Sequence, residues 1–187
     1  SRLLVPPAET FSHDPGAYNR AAVHLVTEGF YSLDGVQPFF EREPGYSAFL
    51  AVIYLLFGAE NRFAIFLVQG ALTLLAAMLF QRELRRIAGE RVATIFFFLF
   101  LALPPLYHTV FSAYRENFAL VLLFFFATLM LRFQRAPSWG NAVAAGALLG
   151  LIILTYIPFL FFPLFLVPFF WILRRRGMPA LAPTLAL

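Results

Sequence analysis

The chain reads as an all-α membrane protein, and three observations carry that reading. Of its 187 residues 61% are hydrophobic and 13% charged, about half the charged share usual in a soluble domain. The apolar residues fall into runs of up to about 20, the length that crosses a bilayer. The short polar stretches between the runs sort by sign, arginines to one side and carboxylates to the other. A water-soluble fold of this size has no interior large enough to hide so much apolar surface, so part of the solvent is lipid.

Composition closes several other routes. No cysteine is present, which removes disulfides, thiolate chemistry and cysteine metal sites. All basic residues are arginine and the net charge is +4. They lie in short clusters between apolar runs, which is a topology signal and not a nucleic-acid groove.

In chain order, residues 1–10 read as a connector. The chain begins at Ser1 with no secretory signal and ends in the apolar Leu181-Ala182-Pro183-Thr184-Leu185-Ala186-Leu187. A piece of a longer protein, lacking membrane helices at both ends, is expected. Asp14-Pro15 reads as a helix start, a capping side chain followed by a residue whose missing N–H costs nothing in the first turn. Tyr18, Ala21, Ala22, Leu25 and Val26 then recur at helical spacing until Gly29. About 14 residues is too short to span, which predicts a helix lying flat on the membrane surface. Residues 30–43 predict an irregular loop, with turn signals at Asp34-Gly35 and Gln37-Pro38. Tyr46 to Phe57 is intensely apolar but again short, a second juxtamembrane helix.

Asn61 to Phe80 predicts the first full span, with Arg62 and Gln69 its polar members. Gln81 to Arg91 predicts a basic turn. Val92 to about Tyr107 spans back, broken by Pro104-Pro105, and His108 to Glu116 forms a short polar stretch. Asn117 to Leu131 crosses again and ends at Arg132 and Arg135. Trp139 to Thr155, with Gly140, Gly146 and Gly150, predicts a small-residue helix able to pack closely. Ile157 to Leu173 returns to Arg174-Arg175-Arg176. About five spans therefore follow two juxtamembrane helices. Residues 1–60 form an extracytoplasmic loop and 61–187 a transmembrane bundle.

Arg82, Arg85, Arg86, Arg91, Arg132, Arg135, Arg174, Arg175 and Arg176 share one side with only Glu83 and Glu90. By the positive-inside rule that side is cytoplasmic. The loop with Asp14 and the turn with Glu116 then face out together.

An acidic external loop over a bundle of spans suits an enzyme whose substrate has a lipid tail and a polar head. Asp14 is a candidate general base, its carboxyl raised toward a useful range beside lipid, and equally a routine helix cap. Arg20, Arg42, Arg62 and Arg115 are candidates for a phosphate, which guanidinium meets with paired donors. Arg42 between Glu41 and Glu43 reads equally as a solvated ion pair. His13 and His108 lack metal-ligand spacing. No phosphate-cradling glycine loop, nucleophile elbow or metal motif occurs, and the need for a divalent metal is left open.

The order Asp14, Tyr18, Ala21 and Gly29, then Arg42-Glu43-Pro44-Gly45-Tyr46-Ser47-Ala48-Phe49-Leu50 closing at Phe57-Gly58, then Gln69, resembles the GT-C membrane glycosyltransferases. More narrowly it is similar to their protein O-mannosyltransferase-like branch, which includes aminoarabinose transferases and lipopolysaccharide-core galacturonosyltransferases. Tyr114-Arg115-Glu116-Asn117-Phe118 is similar to the family's acidic position at the outer start of a helix. Ser47 stands where that family has proline, and Tyr156-Ile157-Pro158 where an Arg-Pro pair is common. The resemblance implies a GT-C-like bundle and inverting transfer of a sugar from a polyprenyl-phosphate donor to a hydroxyl on a glycan, lipid or protein. It implies Asp14 as base, Glu116 as supporting acid, and Tyr18, Arg42, Glu43, Tyr46 and Arg115 as substrate-binding residues. The expected setting is a bacterial inner membrane. A transporter or flippase, or a non-catalytic scaffold, is the competing reading; transport wants charges near mid-span, where Gln69 is the nearest approach.

Overall fold

The computed structural model describes residues 13–39, 41–111 and 114–164, with side chains described from Gly16 onward. Among the described residues seven α-helices follow one another: α1 (His13–Thr27), α2 (Pro44–Phe57), α3 (Arg62–Ala88), α4 (Glu90–Leu101), α5 (Pro104–Phe111), α6 (Arg115–Arg135) and α7 (Trp139–Thr155). A 3-10 turn over Ile157–Phe161 comes after them. Among the described residues the one extended pairing is an isolated bridge between Ser32 and Pro38. The all-α membrane class is borne out.

Several boundaries match the residue signals. α1 closes before Gly29, which takes φ +79°, and α2 closes at Gly58, whose N–H bonds to the Tyr54 carbonyl at 2.9 Å. Asn61 caps α3, accepting the Ala64 N–H at 3.1 Å. α7 covers the range its sequence predicts. Position 14 lies inside the first turn of α1, one residue past the helix start; the capping expected of its side chain lies outside the described residues.

Other boundaries differ, each for a physical reason. α3 runs eight residues beyond Phe80, through what reads as a basic turn. Gln81 to Ala88 contains neither Gly nor Pro, and Glu83 is buried against α6 by arginine contacts. The helix stops at Gly89, φ +85°, and α4 starts with the next residue. At 27 residues α3 is about 40 Å long, so it passes through the hydrocarbon and out of it. The returning span is a bent pair: α4 and α5 meet at 53° across Ala102 and Leu103. The prolines open α5 instead of interrupting a continuous helix, because a first turn tolerates their missing N–H.

Two helices, α3 and α6, are long and apolar enough to cross a membrane by themselves, and α4 with α5 makes a third if counted as one span. α7 is apolar but shorter. Of the expected fifth span, residues 165–173 lie outside the described residues, as do Arg174, Arg175 and Arg176. The described part therefore carries two or three spans by length where about five were expected.

α3 and α6 run parallel, since Thr73 meets Asn117 and Glu83 meets Arg132 at increasing positions along both. α6 also packs on α7, α1 on α2, and α3 on α4. One core cluster joins Tyr18, Tyr46, Leu50, Ile53, Tyr54, Ile65, Phe118, Leu122 and Ile152. A second joins Ala77, Phe100, Leu106 and Val110. The outward Leu55, Leu56, Phe63, Phe98 and Val143 stay apolar because lipid, not water, meets them.

Among the described residues the glycines of α7 make none of the close packing expected of them. A Cβ at Gly140, Gly146 or Gly150 would meet nothing within 4 Å. The close approach is at Gly45, where a Cβ would lie 2.6 Å from Thr155 Oγ1 and 2.7 Å from the Leu154 carbonyl oxygen. There the first turn of α2 rests on the last turn of α7.

The loop between α1 and α2 is ordered by side chains. Asp34 Oδ1 accepts the Val36 and Gln37 N–H groups, each at 2.9 Å, and Ser32 Oγ donates to the Gln37 carbonyl at 2.6 Å. The Gln37 N–H above all, then Val36 and the Ser32 hydroxyl, draw the Asp34 carboxyl down to about 2. Its contribution to the loop is present above its ordinary value of 3.8 and is lost only as pH falls toward about 2. Asp34→Ala is expected to make residues 32–38 a preferred cleavage site in limited proteolysis while the helical bundle resists as before. Equal cleavage of both proteins would contradict that role.

Candidate functional site

At the end of the bundle where α3 and α6 begin, four segments distant in sequence meet. Pro44 forces the residue before it into extended backbone, and Glu43 takes φ −67°, ψ 133°. Its side chain is 8% exposed. One carboxylate oxygen accepts the Ile157 backbone N–H at 3.0 Å. The other accepts the Tyr18 hydroxyl at 2.9 Å and Arg115 Nη1 at 2.6 Å.

α1 is held in place for this by α2 and by the turn that follows it. Ser47 Oγ donates to the Tyr18 carbonyl at 3.1 Å, which ties the two helices together. Asn19 donates to Glu60 at 2.8 Å and accepts the Tyr54 hydroxyl. Glu60 has φ +58°, a left-handed conformation that costs a non-glycine residue energy and turns the chain from α2 into α3.

Arg115 opens α6 and lies between two aromatic faces. Its guanidinium carbon is 5.3 Å from the Tyr18 ring centre and 4.9 Å from that of Tyr156, within cation–π range. Nη1 also donates to the Tyr18 hydroxyl oxygen, and Nε is 3.4 Å from Glu116. The Arg115 side chain is 14% exposed and that of Glu116 44%. A guanidinium held by two aromatic rings and two carboxylates keeps a fixed direction, as a receptor for an anionic group requires.

Electrostatics reinforce the arrangement. Burial alone would raise the Glu43 carboxyl, yet the Ile157 N–H, its own backbone N–H, Tyr18 and Arg115 outweigh it and hold it below the usual range. Burial first, then the hydrogen bond to Glu43, push the Tyr18 phenol well up, so Tyr18 remains a neutral donor.

Of the residues singled out from sequence, Tyr18, Glu43 and Arg115 come into direct contact, with Glu116 beside them. Tyr46 packs edge-on to Tyr18 at 5.7 Å and accepts Gln69 Nε2 at 2.8 Å, so it faces inward. Arg42 is half-buried next to Glu43, and its charge acts on Tyr18 and Tyr31. Position 14 lies one helical turn before Tyr18; its proposed work as a base falls to a side chain outside the described residues. Sequence reasoning missed Tyr156 and the Ile157 N–H. The signal was the Tyr156-Ile157-Pro158 break after α7, which frees a backbone N–H and turns an aromatic ring toward Arg115. Among the described residues no group of three or more His, Asp or Glu is placed to hold a metal ion.

A family model described as dolichyl-phosphate-mannose-protein mannosyltransferase matches residues 38–186. The matched range includes Glu43, Arg115, Glu116 and Tyr156, and α1 precedes it. Neither the curated proteins nor the solved structures yield a match.

Proposed function

Since the chain belongs to the dolichyl-phosphate-mannose-protein mannosyltransferase family, and is a membrane glycosyltransferase of the GT-C type, we propose that it moves a sugar from a polyprenyl-phosphate donor to a hydroxyl on a glycan, lipid or protein. The observation that carries this reading is the Arg115 guanidinium fixed by Glu43, Tyr18 and Tyr156 at the membrane end of α6. A donor of this kind has its phosphate at the bilayer surface and its chain in the hydrocarbon, and Arg115, the first residue of the apolar α6, suits that depth.

In the proposed reaction Asp14 takes the proton of the acceptor hydroxyl as its oxygen attacks the anomeric carbon. The bond from that carbon to the phosphate oxygen breaks on the opposite face, so configuration inverts. Arg115, helped by Arg42, stabilises the charge gathering on the departing polyprenyl phosphate. Glu116, half-exposed beside Arg115, is the supporting acid. Glu43 acts through Arg115 by keeping it in place, since its own oxygens are already engaged. Tyr46 shapes the floor by packing on Tyr18.

We place the site on the extracytoplasmic face of a bacterial plasma membrane. Glu28, Asp34, Glu41, Glu43, Glu60 and Glu116 lie toward the starts of α3 and α6, and Arg82, Arg85, Arg86, Arg91, Arg132 and Arg135 toward their ends. The positive-inside rule then points the second group to the cytoplasm.

The test is sugar transfer in membranes carrying the full-length protein, supplied with a panel of polyprenyl-phosphate sugars. Asp14→Asn is expected to lower transfer by about 10²–10⁴, the share of a positioned base, with protein level unchanged. Transfer equal to that of the native protein removes Asp14 from the mechanism.

A further inference from the structure

The opposite end of α3 and α6 holds a second built cluster. Glu83 has a side chain only 1% exposed, a position an isolated carboxylate does not tolerate. Three arginines compensate it: Arg132 Nε at 3.0 Å, Arg86 Nη1 at 3.5 Å, and Arg135 through Nη2. Three positive charges thus face one negative. The carbonyl ends of the two parallel helices take up part of the surplus, about half a charge each, and leave the cluster positive.

These guanidiniums are anchored without being covered. The side chains of Arg86, Arg132 and Arg135 are 48%, 38% and 36% exposed. Among the described residues their other protein acceptor is the Leu131 carbonyl, 3.4 Å from Arg135 Nε. Most of their donors therefore have no acceptor among the described residues. Anchoring on Glu83 removes in advance much of the side-chain freedom that an arginine gives up on binding. Ile87, Val92 and Trp139 are exposed around the same end, the apolar and aromatic belt of a membrane boundary. The group found at that depth with acceptors suited to several arginines is the phosphate of a phospholipid.

We propose that Arg86, Arg132 and Arg135, organised by the buried Glu83, bind the phosphate of an anionic phospholipid headgroup at the membrane face opposite the Glu43–Arg115 site. The lipid clamps α3 to α6 from outside as Glu83 does from within. The site is independent of the sugar-transfer reading.

The test uses the detergent-purified full chain and native mass spectrometry with phosphatidylglycerol or phosphatidylcholine of matched acyl chains. Phosphatidylglycerol is expected to be retained preferentially. Arg132→Lys with Arg135→Lys keeps both charges but loses the fork, and is expected to weaken retention about tenfold, the value of one charge-assisted hydrogen bond. Glu83→Gln makes the end more positive, yet is expected to lower the preference because the arginines lose their anchor. A preference unchanged by the lysine pair, or raised by Glu83→Gln, overturns the proposal in favour of bulk charge attraction. Should Glu83→Gln fail to fold, the lysine pair decides alone. Excess inorganic phosphate is expected to leave the lipid bound; displacement by it, with both lipids held equally, assigns the site to soluble phosphate and overturns the lipid assignment.

Discussion

Glu43→Gln is expected to destabilise the protein by about 3–5 kcal/mol, the range for removing one partner of a buried ion pair, and to reduce sugar transfer with it. The loss is large because the carboxylate serves three donors at once. An amide keeps one acceptor oxygen, presents two further N–H donors, and leaves the 14%-exposed Arg115 with only the more exposed Glu116 as counter-ion. The measurement is the melting temperature in detergent, read across pH. The folded Glu43 carboxyl lies below its ordinary 4.5, so its stabilisation is complete above that value and is lost as pH falls through the lowered one. The gap between native protein and variant should therefore be widest at neutral pH and close in acid. A gap independent of pH would mean that the charge of Glu43 does no stabilising work.

Gly45→Ala is expected to pry the site open from another direction. The added carbon would sit 2.7 Å from the Leu154 carbonyl oxygen and 2.8 Å from its carbon. Backbone cannot swing aside as a side chain does, so α2 must withdraw from α7. Overpacking of this kind costs about 1–3 kcal/mol, partly offset by the roughly 1 kcal/mol that alanine gains over glycine in a helix. The functional loss should exceed the loss of stability, because the same movement separates Glu43 from the Ile157 N–H. Gly146→Ala is the control, its added carbon meeting nothing within 4 Å. Transfer activity and melting temperature of the two variants should diverge sharply; matching behaviour would show that the contact at Gly45 is dispensable.

Local signals were legible and long-range ones were not. Gly29, Gly58 and the polar residues around Trp139 punctuate the chain, so α1, α2 and α7 could be read closely from residue types. The end of α3 could not, because what keeps Gln81 to Ala88 helical is Glu83 meeting arginines 49 or more positions away. Arginines beside an apolar run look alike whether they lie in a turn or on a helix. The Pro44-Gly45-Tyr46 segment stood out, and its glycine proves to be a contact with α7 that no local pattern encodes. Gly140, Gly146 and Gly150 drew attention by composition alone and carry no such contact among the described residues. Tyr18, Glu43 and Arg115 were each singled out, but their meeting depends on separations of 25 and 72 positions. Tyr156 stood out only as part of a departure from an Arg-Pro pair, because its contact with Arg115 comes from where α7 ends.

The separation of 114 positions between Glu43 and the amide it holds also sets an order of events during synthesis. While the nascent chain threads into the bilayer, Glu43 emerges early and waits with its charge hydrated. Arg115 arrives only after α3 and the α4–α5 pair, and the backbone of Ile157 only once α7 has run back alongside α6. Ion pair, aromatic grip and amide contact can then close together. Until that late return is complete, the half-made protein carries no assembled site.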